Sequence, residues 1–184
     1  MTDIERFLIK YMDLVEDNQF EELYEMVRIE FPTNGNISVI PQLNGYFLSA
    51  GIDVLQYLET IPAFFIQYED HIRNISIPNN IKKINDAAFR GLKVEEINLP
   101  LKLKAIGNYC FCHNQELKRV TLPKNPSSLG GYMFADCNNL FFLHYPGTKE
   151  EFLRSNYCKR QRWLIRSSIK AIVCTNACFE ISHK

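Results

Sequence analysis

The chain has 184 residues, of which 46% are hydrophobic, and it carries 21 basic and 21 acidic side chains. Its length fits one domain with a sizeable core. No segment reaches the roughly eighteen consecutive apolar residues of a membrane-spanning helix, and the first residues lack the basic start, apolar stretch and cleavage site of a signal peptide. We therefore expect a cytoplasmic protein with no membrane association.

The zero net charge conceals a strong asymmetry along the chain. Residues 1–70 contain 13 acidic and 3 basic side chains, whereas residues 71–184 contain 8 acidic and 18 basic ones. The two parts therefore carry opposite charges of −10 and +10. Opposite charges attract within a folded molecule, which favours packing of the acidic part onto the basic part. The alternatives are two separately solvated faces or a two-ended surface for partners.

The acidic N-terminal part is predicted to be helical. Thr2 to Glu5 can form a capping box, and apolar side chains recur behind it at helical spacing. A second start signal at Asn18 to Glu21 predicts a shorter helix, which ends just before a proline. Chain breakers predict a loop over residues 32–45, with a short strand candidate at residues 37–40. A third helix is predicted from Ile52 to Ile61.

Residues 72–146 repeat with a period of 22 to 23 residues. Each copy begins with two alternating aliphatic residues and a proline, as in Ile75, Ile77 and Pro78. A unit this short cannot bury its own apolar face, so successive copies must stack. The sequence therefore predicts a short right-handed solenoid of stacked parallel strands. The period is marked by the prolines Pro78, Pro100 and Pro123, and a less similar copy ends at Pro146. A phenylalanine follows each of the first three prolines after eleven positions, at Phe89, Phe111 and Phe134.

This repeat resembles the BspA-type leucine-rich repeat. The resemblance is carried by the pattern I-x-I-P, I-x-x-I, A-F and L-x-x-I-x-I-P between Ile75 and Pro100. The segment from Tyr145 to Phe152 is similar to the closing segment of such proteins, with Phe152 where tryptophan is usual. The similarity continues at Trp163 and at Ile172 to Thr175, after which Asn176 and Ala177 stand in place of the usual Asp-Gly.

The resemblance covers about residues 72–181 and implies the fold class, an α+β leucine-rich-repeat solenoid. Residues 65–72 resemble the second half of a degenerate repeat, with Ile66 in the place of Phe111. Such repeats occur in secreted bacterial adhesins and in small proteins of bacteriophages and their hosts. The resemblance therefore implies the fold and leaves the function open.

A solenoid exposes apolar side chains at its ends unless other segments cover them. We expect the acidic helical region, residues 1–71, to cap the N-terminal end of the repeats in residues 72–146. Residues 147–184 are predicted to form a mixed C-terminal cap, in which a capping box at Thr148 to Glu151 opens a short helix. Alternation over residues 169–181 predicts a terminal hairpin. The three parts are expected to fold as one cooperative unit.

The predicted strand registers place alternate residues outside the core. Glu96 beside Arg119 is adequately explained as a cross-strand pair worth about 0.2–1 kcal/mol. Phe141 and Phe142 are different, because the other repeats carry polar residues there. Full hydration of one such ring costs about 1.5–3 kcal/mol, so either the C-terminal tail or a partner covers the rings. The predicted partner-binding surface comprises Phe141, Phe142, His144, Arg119, Thr121, Glu96 and Asn98.

A basic run near the C-terminus indicates an alternative function. Lys159, Arg160 and Arg162 could grip phosphates, and the indole of Trp163 could provide a stacking surface for bases. In this alternative the protein is directed at nucleic acid, either through this cluster or because the acidic N-terminal region imitates DNA. No groove-reading motif accompanies the basic run.

No catalytic motif stands out in the sequence. It has no Gly-rich phosphate loop, no His-Glu-x-x-His and no Gly-x-Ser-x-Gly, and its four histidines are scattered. Cys110, Cys112 and His113 imitate half of a metal site, but no spacing in the chain completes a common zinc pattern. Cys110 and Cys137 fall at predicted core positions, and six cysteines in a cytoplasmic chain are most simply reduced thiols. We therefore expect no enzymatic activity, no cofactor and no metal.

The favoured function is that of a non-enzymatic protein–protein interaction module. The small extended face of a short solenoid suits a steric inhibitor or an adaptor. If the gene is carried by a bacteriophage, as the resemblance allows, its target would be a host or defence protein.

The charge asymmetry generates a first prediction. If the two parts attract each other within one molecule, the thermal unfolding midpoint should fall by several degrees as salt rises, because screening shortens to about 3 Å at about 1 M salt. If they meet between molecules, light scattering should instead show association at low salt. A monomer whose unfolding midpoint is independent of salt would contradict both versions.

Overall fold

The computed structural model describes residues 3–31, 42–45, 47, 52–68, 72–159 and 161–181. The N-terminal part contains helices α1 (Asp3–Lys10), α2 (Met12–Glu16) and α3 (Phe20–Glu30) and a 3-10 helix (Val54–Tyr57). The repeats contain strands β1 (Thr60–Ile61), β2 (Lys83–Ile84), β3 (Glu96–Asn98), β4 (Ala105–Ile106), β5 (Arg119–Thr121), β6 (Ser128–Leu129) and β7 (Phe142–His144). The C-terminal part contains helices α4 (Lys149–Arg154) and α5 (Asn156–Lys159), a second 3-10 helix (Gln161–Leu164), and strands β8 (Ala171–Val173) and β9 (Cys178–Glu180).

The strands form two sheets that run along the solenoid. One sheet has the order β1-β2-β4-β6 and is parallel throughout. The other has the order β3-β5-β7-β8-β9, and it is parallel except for the final β8-β9 hairpin. Successive repeats therefore add strands to both sheets, with Ile97, Val120 and Leu143 in register in the larger one. The stacked parallel strands and the terminal hairpin confirm these two predictions.

A ladder of aromatic rings forms the centre of the core. The rings of Phe89, Phe111 and Phe134 are fully buried and lie nearly parallel, with centroids 5.8 and 5.6 Å apart. Phe65 closes one end of the ladder with an edge-on contact at 5.9 Å, and Trp163 closes the other at 6.4 Å. The recurrence of phenylalanine eleven positions after each proline thus places one ring in each turn.

Backbone hydrogen bonds align the turns that carry this ladder. The N–H of Phe89 donates to the carbonyl of Cys110 at 2.9 Å, and the N–H of Phe111 donates to that of Met133 at 3.0 Å. The N–H of Ile66 makes the equivalent bond to the carbonyl of Ala88 at 2.8 Å. Ile66 therefore occupies the place of Phe111 in an earlier turn, as predicted, although the ring in the ladder comes from the preceding Phe65.

Helix α3 covers the N-terminal end of the smaller sheet. In three successive turns, two adjacent N–H groups donate to one carbonyl of the preceding turn. In the first of these turns, the N–H groups of residues 82 and 83 both donate to the carbonyl of Glu59. The first turn has no predecessor, and there the carboxylate of Glu21 accepts from the N–H groups of Glu59 and Thr60 at 2.7 and 3.0 Å. Unpaired N–H groups at a sheet edge need an acceptor. Helix α3 therefore supplies, through Glu21, the acceptor that the carbonyl of another repeat would have provided.

The predicted third helix, Ile52–Ile61, is wrong. The structure has a single 3-10 turn there, in which Asp53 accepts a hydrogen bond from the N–H of Leu55 at 3.1 Å, followed by strand β1. Pairing of Thr60 and Ile61 with β2 explains the difference, since tertiary contacts override a short helical pattern.

The strand predicted at Ile75–Ile77 is also absent, because residues 72–78 have no regular secondary structure. This segment would have been the edge strand of the larger sheet, with a neighbour on one side only. The larger sheet begins instead at β3.

Other N-terminal predictions had mixed outcomes. Helix α3 ends at Glu30, before the proline, as predicted, but its N-cap residue Gln19 makes no side-chain capping hydrogen bond. Thr2 and the strand candidate at residues 37–40 lie outside the described residues. At the other end of the chain, the capping box between Thr148 and Glu151 is confirmed. The part boundaries predicted at residues 72 and 147 stay predictions.

The aromatic ladder predicts a large effect for Phe111→Ala. This change leaves a void between two stacked rings and should destabilise the protein by about 3–5 kcal/mol, measured by denaturant unfolding. Leu101→Ala is the control, since Leu101 is 56% exposed and should change stability by no more than about 0.5 kcal/mol. Equal unfolding midpoints for the two variants would contradict the proposed role of the ladder.

Candidate functional site

The outward side chains of the larger sheet form two rows across its strands. Glu96, Arg119 and Phe142 are in register in the first row. Asn98, Thr121 and His144 are in register in the second. The inward residues between them are fully buried, so the face presents its alternate residues to solvent. The structure therefore brings six of the seven predicted surface residues together on one face, with Phe141 directly before the last strand.

Phe141 and Phe142 remain partly exposed although the C-terminal strands lie beside them. Phe141 is 37% exposed and Phe142 is 47% exposed. The ammonium group of Lys170 lies 4.9 Å from the centre of the Phe141 ring, a cation–π contact. Phe142 is in register with Ala171, whose methyl group is too small to cover a phenyl ring. The C-terminal part therefore covers Phe141 in part and leaves Phe142 more open.

Ion pairs run across the strands beside these rings. The guanidinium of Arg119 donates to the carboxylate of Glu96 at 2.9 Å, and Asn98 donates to the same carboxylate at 3.1 Å. Lys118 pairs with Glu95 at 3.0 Å. All four charged side chains are well exposed, and such pairs contribute about 0–1 kcal/mol each. These contacts fix the side chains of Glu96, Asn98 and Arg119 on strands β3 and β5. They also place the guanidinium of Arg119 next to strand β7, which carries Phe142.

Sequence reasoning missed Lys170 and Ala171 as members of this region. Their contribution depends on strand β8 joining the sheet in parallel next to β7. The terminal hairpin was predicted from alternating residues, but alternation does not reveal which strand the hairpin will pair with. No local signal in the sequence could have placed Ala171 beside Phe142.

The predicted stacking role of Trp163 is wrong. Its indole is 1% exposed, its N–H donates to the carbonyl of Tyr157 at 3.0 Å, and its ring meets Phe134 edge-on. Trp163 therefore belongs to the core, because it closes the aromatic ladder. Lys159 and Arg162 are exposed, and Arg160 lies outside the described residues.

The acidic residues of the N-terminal helices are mostly exposed. Glu25 pairs with Arg28 at 2.5 Å, and the carboxylate of Glu21 is engaged by the backbone of β1. The imitation of DNA by this surface stays a prediction. The other exposed acidic side chains of α2, α3 and their connection are Asp13, Glu16, Asp17 and Glu22.

The cysteines at the predicted core positions are buried. Burial raises the pKa of the Cys110 thiol well above its usual range, and it raises that of Cys137 to about 12. The thiol of Cys137 also donates to the carbonyl of Phe111 at 3.0 Å. The prediction that Cys110 and Cys137 are core residues is confirmed. In the part of the chain that the structure describes, no group of three or more His, Cys, Asp or Glu side chains is arranged to hold a metal ion.

Comparison with protein families identifies the repeat. Residues 51–182 match the BspA type leucine rich repeat region in six copies. This match spans more than half of the chain, so the chain belongs to the BspA-type leucine-rich repeat family. The match begins before the first repeat recognised in the sequence, in agreement with the position of β1.

Leucine-rich repeats generally mediate protein–protein binding, and this family is typically a non-enzymatic scaffold. Neither the curated proteins nor the solved structures contain a match to the chain. Across the described ranges, no helix has the length and apolar character needed to cross a bilayer.

The thiol environments predict an order of chemical modification. In the native protein a maleimide should modify the exposed Cys178 first, whereas Cys110 and Cys137 should react only after unfolding, because burial excludes the reagent and a raised pKa suppresses the reactive thiolate. Mass spectrometry over time, with and without denaturant, measures this order. Rapid labelling of Cys137 in the native protein would contradict its place in the core.

Proposed function

We propose that this chain binds another protein through the outward face of the larger sheet, with Phe142 at the centre of the contact. The observation that carries the proposal is the exposure of this ring, 47%, on a regular strand whose other outward neighbours are polar or small. Burial of an exposed ring by a partner is favourable, because it removes apolar surface from water.

The surroundings of Phe142 support an interface with one apolar centre and a charged edge. Phe141 lies beside it, with the ammonium of Lys170 over its ring. Arg119 lies on the neighbouring strand, and His144 follows on the same strand. Aromatic residues with a nearby arginine are typical of the few side chains that contribute most of the binding energy at protein interfaces.

The dimensions of the face favour a simple mode of action. The described strands are two or three residues long, so the outward face offers a narrow strip across a few repeats. A partner held on such a strip would be blocked sterically or held near a third protein. We therefore propose the role of a steric inhibitor or adaptor, with a host or defence protein as the target if the gene is phage-borne.

Nucleic acid is the second candidate partner. Exposed Lys159 and Arg162 support it, because cations near the surface attract phosphates. Burial of Trp163 removes the stacking surface that would have favoured bases.

A capture experiment with matched variants tests the proposal. Tagged wild-type protein and three double variants are incubated with lysate of the native host. Phe142→Ala/Arg119→Ala removes the proposed centre, and Lys159→Ala/Arg162→Ala removes the exposed cations. Leu101→Ala/Lys102→Ala is the control, since it removes one exposed aliphatic side chain and one cation from the turn between β3 and β4.

The expected result is loss of a specific protein partner in the first variant alone. Loss of hot-spot contacts worth about 2 kcal/mol or more corresponds to a decrease in affinity of at least about 30-fold. Unfolding midpoints of all variants should stay near that of the wild type. Loss of co-purifying nucleic acid in the second variant, with the first unchanged, would support the second candidate. Normal binding by both would place the partner surface elsewhere.

A further inference from the structure

The turns that follow the smaller sheet form a trough along one edge of the solenoid. Each turn has two residues with left-handed backbone, four positions apart, and backbone hydrogen bonds align these residues from turn to turn. Tyr109 and Tyr132 occupy the first place in two adjacent turns. His113 and Asp136 occupy the second place in the same turns. The tyrosines thus form one wall of the trough, and His113 and Asp136 form the other.

The floor between these walls contains two small side chains, and a cavity lies above them. The residues directly before the second left-handed position are Arg90, Cys112 and Ala135 in three successive turns. Cys112 and Ala135 are too short to fill the space between the walls. The resulting cavity has a volume of about 430 Å³, which is within the usual range for small-molecule sites. Arg166, from the C-terminal part, also lines it.

The charges in this cavity favour an anion. Arg90 and Arg166 contribute two positive charges and Asp136 one negative charge, and Arg166 donates to Asp136 at 2.9 Å. Nδ1 of His113 lies 3.7 Å from the same carboxylate. Asp136 is therefore paired with Arg166, and the second guanidinium, that of Arg90, leaves the lining with an excess of positive charge.

Arg90 is the group with hydrogen-bonding capacity to spare. Its Nε has no hydrogen-bond partner among the described residues, but that atom is buried, so a ligand would reach the half-buried group through its terminal nitrogens. Its guanidinium stacks over the ring of Tyr68 at 5.6 Å, a contact that holds the plane of the group without using its N–H donors. Burial raises the pKa of the Cys112 thiol on the floor, and Arg90 opposes that rise, so its charge acts on the floor of the cavity.

The tyrosine wall adds a surface for a planar ring. Tyr109 and Tyr132 are stacked, with centroids 5.1 Å apart and planes within 10° of each other. Tyr109 is 45% exposed, and the corresponding place in the preceding turn holds the small Ala87. Stacking of a ligand ring on an exposed tyrosine is favourable by about 0.5–1.5 kcal/mol, or about two- to tenfold in affinity.

We propose that this cavity binds a phosphate monoester whose organic part contains an aromatic ring. The phosphate, with a charge of about −1.5 to −2 at neutral pH, receives hydrogen bonds from the guanidinium of Arg90, whose planar donors match its oxygens. The ring stacks against Tyr109. A nucleoside monophosphate and a phosphorylated phenol share this chemistry.

The chain has two acidic residues that could compete for Arg90. Glu69 and Asp70 follow Tyr68 in the sequence and lie outside the described residues. A variant that neutralises both, Glu69→Gln/Asp70→Asn, therefore belongs in the test. If the cavity is open to ligands in the natural chain, this variant should bind with an affinity within about twofold of the wild type, apart from the general effect of charge.

The proposal is tested by calorimetric titration at low salt with phenyl phosphate, adenosine monophosphate, glycerol phosphate and inorganic phosphate. The two esters that contain an aromatic ring, phenyl phosphate and adenosine monophosphate, should bind about two- to tenfold more tightly than the other two. Arg90→Gln should weaken phenyl phosphate binding by at least about tenfold, since a charge-assisted hydrogen bond is lost. Asp136→Asn should strengthen it, because a repelling charge disappears and Arg166 is released.

Two controls separate a lost contact from general effects. Arg154→Gln removes an exposed positive charge from α4, outside the cavity lining, and should leave the affinity unchanged. If Arg90→Gln fails to fold, Arg90→Lys serves instead, because it keeps the charge but loses the planar donors and should still weaken binding.

The outcomes that overturn the proposal are distinct. Lack of any phenyl phosphate binding by the wild type would overturn it, as would equal binding by wild type and Arg90→Gln. Binding that appears only in Glu69→Gln/Asp70→Asn would also overturn it, since the chain's own carboxylates would then fill the site. Equal affinity for inorganic and phenyl phosphate would overturn the role assigned to Tyr109.

Discussion

The structure depends on the fact that no turn of this solenoid can bury its own phenylalanine. Phe111 has one face against Phe89 and the other against Phe134, at centroid distances of 5.8 and 5.6 Å. A single turn would leave both faces in water, at a cost of about 1.5–3 kcal/mol. The turns are therefore stable only together, and the backbone hydrogen bonds that align them follow the spacing of the rings. The buried apolar residues accordingly form one cluster, from Phe7 to Ile172.

Such a stack must end without exposing the groups that a further repeat would have satisfied. At the N-terminal end the carboxylate of Glu21 takes the place of a backbone carbonyl. At the C-terminal end the N–H of Tyr132 donates to the carbonyl of Arg162 at 2.9 Å, and the adjacent Trp163 closes the ladder. At both ends, other segments of the chain thus occupy hydrogen-bonding positions that a neighbouring turn would otherwise fill.

The features that could be predicted from the sequence are those that recur. The spacing of proline and phenylalanine revealed the stacking, the core rings and the outward rows of the larger sheet. Each of these positions occurs in several copies of the repeat, so its residue type could be compared between copies. Features that occur once were missed or misassigned. Strand β1 was read as part of a helix, since its pairing with β2 lies 23 residues away. Trp163 was read as a surface residue, because its neighbours in the sequence are basic while its neighbours in space are Phe134 and Tyr157. The trough beside Tyr109 was missed because each of its walls combines residues of two turns, as Tyr109 is joined by Tyr132.

The openness of the proposed interface follows from how strand β8 joins the sheet, not from Phe142 alone. Had the residue in register with Phe142 been a large aliphatic one, it would have packed over the ring and extended the core. The chain has Ala171 there, while the next inward position, Ile172, is large and fully buried. The C-terminal part thus completes the inner side of the sheet, while on the outer side the ring of Phe142 stays 47% exposed beside the buried methyl group of Ala171. Strand β8 therefore extends the sheet at its inward positions without burying the ring of Phe142, and this accessibility is what the proposed interface requires.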